Sequence, residues 1–308
     1  MKIMFMGTPD IAAESLKALI DEGVSVVCCV TQPDKPKGRG YKLVPTEVKA
    51  VALEENIAVY QPESLKNGEL EPVLEEYKPD LIAVVAYGKI LPEYVLNFPK
   101  YGCINMHASL LPKYRGAAPV QWSVINGEEY TGVTTMKMDK GLDTGDMLLS
   151  EKVKIGEYET SEELFERISA LGAKVLVKTI KDIENIKPIP QNHEDHTYAP
   201  MISKEMAKID WSKDYKTISK HICGMNPWPL AYTTYKGEVV KVIAATKCEE
   251  ALGGEFGEIL KYEKGKGLLI KCAKGGIWLN VIQFPGKKKM SVDDYLLGNN
   301  IDIGEILR

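Results

Sequence analysis

Apolar and polar positions along the first half of the chain follow the rhythm of a doubly wound α/β domain, with short apolar runs separated by amphipathic stretches. Residues 3–6, 24–30, 81–86 and 103–106 are near-continuous apolar or β-branched runs and predict buried parallel strands. Between them, residues 11–22, 46–55 and 69–77 carry apolar side chains at helical spacing. Pro9 suits the first turn of the first helix, and Gly23 its carboxyl-terminal cap. Residues 132–138 and 147–153 are again strand-like. A long helix over 161–184 opens on Thr160 and Glu163, spaced as a capping box, and Pro188 and Pro190 end it.

The pattern then changes. Residues 187–208 are polar and proline-containing and read as an inter-domain linker. Beyond them come a short helix at 215–223, strand-like runs at 232–235, 239–244, 258–260, 267–271 and 277–283 with glycine-containing turns, and a helix at 292–297. The predicted organisation is a Rossmann-like α/β domain over 1–188, a linker over 189–208 and a small OB-like β-barrel domain over 209–308.

Length and composition agree: 308 residues, 44% hydrophobic and 27% charged, suit two globular domains. The amino-terminal apolar run is too short for a signal peptide and no run is long enough to span a membrane, so a cytoplasmic protein is expected. Six cysteines without a C-x-x-C pair predict reduced, buried thiols. His193 and His196 stand three apart, but neighbouring prolines argue against a helical metal half-site, and no metal is expected. Residues 204–308 hold 17 Lys and Arg against 13 Asp and Glu, net +4, and residues 1–203 hold 22 against 30, net −8. The carboxyl-terminal third could therefore meet a polyanion, although a difference of this size also occurs on solvated surfaces.

The first strand-to-helix turn, Gly7-Thr8-Pro9-Asp10-Ile11-Ala12, lacks the second and third glycines of a dinucleotide site, and no phosphate-binding G-x-x-x-x-G-K-[ST] loop occurs. The chemistry lies elsewhere. Asn105 and His107 fall on one face of the strand at 103–106 and its end, where ligands bind in open α/β sheets. Taken alone, such a histidine is more often a satisfied structural residue than a catalyst, and such an asparagine often only caps a turn. Asp143-Thr144-Gly145-Asp146 could be only a tight turn. Lys35, Lys37, Arg39 and Lys42 put four cations in a Gly- and Pro-punctuated loop that would suit phosphates or simply solvent.

The run Gly102 to Pro112 (GCINMHASLLP), then Tyr114-Arg115-Gly116-Ala117-Ala118-Pro119 and Met138 to Asp146 (MDKGLDTGD), resembles the folate-dependent formyltransferases. Ile209-Asp210-Trp211 and Asn226-Pro227-Trp228-Pro229 extend the resemblance over nearly the whole chain, toward the branch that formylates initiator methionyl-tRNA. The resemblance implies a formyltransferase domain over 1–188, a tRNA-binding barrel, and 10-formyltetrahydrofolate as formyl donor. It implies Asn105 as oxyanion donor, His107 as a second donor that also moves a proton, and Asp143 as the group that orients the ring and relays a proton through water. Ser109, Leu110, Leu111 and Pro112 would contact the folate, with Tyr87 and Gly88 lining the same pocket. Arg39 would be the key basic residue of a loop entering the tRNA acceptor arm, helped by Lys35, Lys37 and Lys42, with Lys204 as a further tRNA neighbour. Lys287, Lys288 and Lys289 could add phosphate attraction. No Ser or Cys nucleophile with a paired base is evident, so direct amine attack is expected without a covalent intermediate or a metal. No obligate protein partner or membrane is implied. The rivals are formyl transfer to a glycinamide ribonucleotide or amino sugar, hydrolysis of the folate, and RNA binding without catalysis.

Overall fold

A computed structural model describes residues 1–37 and 42–308, and for Lys37 and Lys42 the backbone only. In chain order the elements are β1 (Ile3–Gly7), α1 (Asp10–Asp21), β2 (Val26–Val30), β3 (Lys35–Lys37), β4 (Lys42–Val44), α2 (Glu47–Glu54), β5 (Ala58–Tyr60), α3 (Glu71–Tyr77), β6 (Leu81–Val85), α4 (Glu93–Leu96) and β7 (Cys103–His107). They continue with β8 (Arg115–Gly116), α5 (Pro119–Ile125), β9 (Tyr130–Lys137), β10 (Met147–Lys154) and α6 (Ser161–Lys181). After two single 3₁₀ turns and β11 (Tyr198–Ala199) come α7 (Tyr215–Gly224), β12 (Ala231–Tyr235), β13 (Glu238–Cys248), β14 (Ile259–Glu263), β15 (Gly267–Lys271), β16 (Gly276–Gln283), β17 (Met290–Ser291) and α8 (Val292–Leu296).

The chain divides into two compact units, the first comprising residues 1–116, 132–153 and 166–198. Its sheet runs β10-β9-β7-β6-β1-β2-β5. β1 pairs in parallel with β2 and β6, β2 with β5, and β6 with β7, whereas β7 meets β9 antiparallel. β1 and β6 are buried along their whole length, as continuous apolar runs in a two-sided parallel sheet must be. Chain order reverses between β1 and β6, where Gly7 lies opposite Val85, so the ligand-binding switch point of the sheet falls at their carboxyl ends. Asn105 on the neighbouring β7 pairs with Val84, which carries His107 beyond that same edge. The capping box of α6 forms as its sequence predicts: the Thr160 N–H donates to Glu163 Oε2 at 2.8 Å and the Glu163 N–H to Thr160 Oγ1 at 3.2 Å.

The second unit comprises residues 117–131, 154–165 and 199–308. Its antiparallel sheet runs β12-β13-β16-β15-β14, with β17 on β16. Residues 304–308 close it. The Thr234 N–H donates to the Arg308 carbonyl at 2.7 Å and the Thr234 carbonyl accepts from the Arg308 N–H at 3.1 Å, while the Leu307 N–H donates to the Gly257 carbonyl at 2.8 Å and the Ile259 N–H to the Glu305 carbonyl at 2.9 Å. That segment bridges β12 and β14 into a barrel, with Leu307 buried in its core beside Trp211, Ile259 and Ile282. Removing residues 304–308 is expected to lower the Tm of this unit by about 10 °C or more, through lost ladder bonds and a cavity at Leu307, read by differential scanning calorimetry. An unchanged Tm would show the closure to be incidental.

The change of unit between residues 198 and 199 falls within the 189–208 segment read from the sequence, and the second unit also takes in residues 117–131 and 154–165. α5 is seven residues long, too short to show helical periodicity, and it packs on α7: a Cβ on Gly224 would meet Ile125 Cγ1 at 2.3 Å. The segment read as a solvated linker is also packed, with Gln191 buried in the first unit and Ala199, Ile202 and Ala207 buried in the second. His193 lies 3.0 Å from an Arg115 nitrogen, and among the described residues no cluster of three or more His, Cys, Asp or Glu could hold a metal. All six cysteines are free and buried, and burial pushes the Cys28 and Cys103 thiols up to about 12.

His221 on α7 is half-buried, its Nε2 is buried and unpartnered among the described residues, and desolvation holds its pKa below the ordinary histidine value. The sign follows directly: below about pH 6.5 the unfolded chain takes up a proton that the folded ring resists, so stability falls with acid by up to about 1.4 kcal/mol per pH unit. Urea unfolding between pH 7.5 and 5 should show this slope, and His221→Gln should flatten it. An equal slope in both proteins would contradict the assignment.

Candidate functional site

Asn105 and His107 project from the end of β7. The Asn105 side chain is half-buried, and its amide makes no hydrogen bond among the described residues, which leaves its two N–H donors for a ligand. His107 is buried. Its Nε2 lies 2.9 Å from the Tyr114 carbonyl, and because a carbonyl can only accept, Nε2 donates. Nδ1 therefore remains for chemistry, 3.6 Å from Asp143 Oδ2. That separation exceeds a hydrogen bond, and a proton, a water or a substrate atom can be shared there.

Asp143 sits in the turn between β9 and β10 with φ at +54°, a left-handed conformation that Asp tolerates better than most residues. Its Oδ2 accepts a hydrogen bond from the Gly116 N–H at 2.8 Å, which fixes the carboxylate toward the ring. Asp139 Oδ1 organises the preceding residues by accepting from the Gly141 N–H at 2.9 Å and Thr144 Oγ1 at 2.6 Å. Gly145 must be glycine here, since a Cβ would fall 1.8 Å from the Lys137 carbonyl oxygen. The structure thus brings together Asn105, His107 and Asp143 within the first unit, although Asp143 lies far along the chain from the other two.

The corner from Ser109 to Pro112 is closed from within. Ser109 Oγ donates to the Lys113 carbonyl at 2.6 Å, Thr134 Oγ1 donates to the Ser109 carbonyl at 2.8 Å, and the Leu111 N–H donates to Thr134 Oγ1 at 3.2 Å. Ser109 and Leu111 are buried, so Leu110 and Pro112 carry the accessible apolar surface. The Tyr87 ring is buried in the core and its hydroxyl is unpartnered among the described residues, which leaves its backbone to border the pocket. Its backbone shapes the turn. The Tyr87 carbonyl accepts from Thr8 Oγ1 at 3.1 Å and Gln32 Nε2 at 2.9 Å, and a Cβ on Gly88 would lie 2.5 Å from that Nε2.

β3 and β4 pair as an antiparallel ribbon with Lys35 opposite Val44 and Lys37 opposite Lys42, so the basic loop stands on a hairpin. Its foot is fixed by Asp34, which pairs with Lys49 Nζ at 2.6 Å and accepts from Gln61 Nε2 at 2.7 Å, bonds that hold its carboxyl below the usual range. Lys35 is exposed and reaches Gln32 Oε1 at 3.2 Å. Arg39 lies outside the described residues, as do the side chains of Lys37 and Lys42. Lys204 is exposed and belongs to the second unit, as does Lys287, whose Nζ donates to Asn299 Oδ1 at 2.6 Å.

Sequence reasoning missed Thr134, Gln32, Arg115 and Gln191. Thr134 lay within a predicted strand, and Gln191 within a predicted linker, where no periodic pattern marks a packed side chain. Among the described residues no Ser, Thr or Cys side chain hydrogen-bonds a histidine, so the site has no activated nucleophile of that kind. It offers free amide donors next to a ring nitrogen that faces a carboxylate.

Residues 1–180 match the family model described as formyl transferase, and residues 201–300 that of the formyl transferase carboxyl-terminal domain. The methionyl-tRNA formyltransferase of Alkaliphilus oremlandii is 52% identical over 309 residues, covering 100% of this chain and 99% of that protein. That of Clostridioides difficile is 47% identical over 309 residues, covering 100% of both. Among solved structures, an N-formyltransferase from Helicobacter canadensis, in complex with folinic acid and dTDP-3-aminofucose, superposes with a TM-score of 0.68 at 20% identity, covering 94% of this chain and 100% of that one. HypX from Aquifex aeolicus, in complex with tetrahydrofolic acid, gives 0.61 at 18% identity, and the chain, 99% covered, spans half its length (50%). At these identities the solved structures share the fold alone.

Proposed function

Because the chain belongs to the formyl transferase family, we propose that it moves the formyl group of 10-formyltetrahydrofolate onto the α-amino group of methionyl-initiator tRNA. The observation that carries the chemistry is the uncommitted Asn105 amide at the end of β7, beside a His107 Nδ1 turned to Asp143. The neutral amine attacks the formyl carbon. The carbonyl electrons move to the formyl oxygen, where Asn105 donates to the developing charge. His107 Nδ1, supported by Asp143, handles the proton that leaves the attacking nitrogen as N10 of the folate departs and takes one up. The tetrahedral adduct collapses when the bond from carbon to N10 breaks, leaving formyl-methionyl-tRNA and tetrahydrofolate.

Leu110 and Pro112 offer apolar surface to a flat heterocycle at the sheet's edge, and the Tyr87–Gly88 backbone shapes the turn next to it. We assign tRNA phosphate binding to the basic segment holding Lys35, Lys37, Arg39 and Lys42, whose flanking strands pair, and to Lys204. We assign the protein to the cytoplasm. No described helix is long and apolar enough to cross a membrane.

The tRNA half of the proposal is tested at Arg39. Arg39→Ala should raise the tRNA concentration for half-maximal rate about 10-fold and lower the salt dependence of that value, with the folate KM unchanged. A change confined to the folate KM would refute the assignment.

A further inference from the structure

We infer that Gln191 is a positioning residue for this reaction: its side-chain amide holds the Asp143 loop in the geometry that aims the carboxylate at His107, and Arg115 holds Gln191. The inference rests on the reading of Asn105, His107 and Asp143 given above.

A non-glycine residue keeps a left-handed backbone only where its surroundings over-determine it, and Asp143 is gripped from two sides. Gln191 Nε2 donates to the Asp143 carbonyl at 2.9 Å and to the Gly145 carbonyl at 2.7 Å, drawing the backbone on both sides of Thr144 to one point. Opposite it, the Gly116 N–H holds Asp143 Oδ2 at 2.8 Å. The orientation of the Gln191 amide is fixed by Arg115, whose Nε and Nη2 lie 3.1 and 2.6 Å from Oε1. A guanidinium has only donors, so the oxygen must face it and both amide N–H groups must face the loop. Arg115 Nη2 also lies 3.0 Å from His193 Nδ1, which for the same reason accepts.

The adjacent residues Arg115 and Gly116 therefore act on both ends of Asp143. One backbone N–H fixes the carboxylate, and one side chain, through Gln191, fixes the carbonyl. Arg115 and Gln191 are only 6% and 5% exposed, so this network works away from water, where a misplaced partner cannot be replaced by solvent. Neither side chain hydrogen-bonds Asn105 or His107, so the effect must pass through Asp143.

Two variants test this. Gln191→Leu removes the donors at similar volume, and Gln191→Glu keeps an acceptor for Arg115 but turns a carboxylate toward the two carbonyls. In both, kcat should fall about 30- to 100-fold, the cost of small misplacement of a reacting group, while KM for folate and tRNA stays within about 3-fold. Because the action runs through Asp143, adding Gln191→Leu to Asp143→Asn should lower kcat by no more than about 2-fold further. Hydrogen exchange over residues 139–146 should quicken about 10-fold or more in Gln191→Leu, with β1 and β6 unchanged. A kcat within about 3-fold of wild type in both variants, a loss that multiplies with that of Asp143→Asn, or an unaltered loop exchange would each overturn the inference. The exchange experiment needs no substrate, so its failure is separate from any failure of the wild-type protein to formylate tRNA.

Discussion

Replacing His107 by alanine is expected to lower kcat for formyl transfer about 10³-fold, a loss of about 4 kcal/mol of transition-state stabilisation, within the range that positioned proton transfer supplies. The geometry makes the ring hard to substitute. Nε2 is committed to the Tyr114 carbonyl, so the proton can be handled only at Nδ1, and Asp143 stands 3.6 Å beyond it. A water in the vacated space could reach Asp143 but would lack a nitrogen base fixed on the same face as Asn105. Folding is controlled for with His107→Gln, which can still donate to Tyr114 but cannot act as a base near neutral pH. It should regain the Tm lost in the alanine variant without regaining the rate. Equal tRNA affinity in both variants, measured by filter binding, separates the chemical defect from a binding defect. Recovery of activity along with stability would remove His107 from the chemistry.

Asn105→Ala is expected to cost about 10²- to 10³-fold in kcat, the usual effect of removing one preorganised oxyanion donor. Its amide is unengaged within the described protein, so truncation breaks no internal hydrogen bond and stability should change little. The loss should appear in kcat and kcat/KM alike, because the donor meets the oxygen's charge only in the transition state. Asn105→Asp is a sharper case. A carboxylate at the same point repels the oxyanion, and the rate should fall below that of the alanine variant. A loss expressed only in KM would make Asn105 a substrate-binding residue.

The strands, the long helix and the barrel were legible because periodicity and turn chemistry are local. Residues 3–6 and 81–86 announce a buried parallel sheet, and Thr160 with Glu163 announces the start of α6. Asn105 and His107 could be placed on one face by strand geometry alone. Asp143 could not, since its approach to His107 depends on a left-handed turn that Gly116 and Gln191 hold from distant parts of the chain. For the same reason Gln191 read as linker. Its value lies in two carbonyls 46 to 48 residues away, and no local pattern records such a contact. α5 was missed because seven residues show too little periodicity, and the closure of the barrel because residues 304–308 pair with two strands distant in sequence. The Tyr87 ring is buried in the core, a packing detail that its position beside the site does not reveal.

The most direct measurement supplies the purified protein with 10-formyltetrahydrofolate labelled in the formyl group, together with methionyl-initiator tRNA, an amino-sugar nucleotide, or no acceptor, and follows the label. The account predicts label on the methionine of the tRNA, with little on the sugar and little released as formate. Formate at the same rate in all three mixtures, or transfer to the sugar in preference to the tRNA, would contradict it.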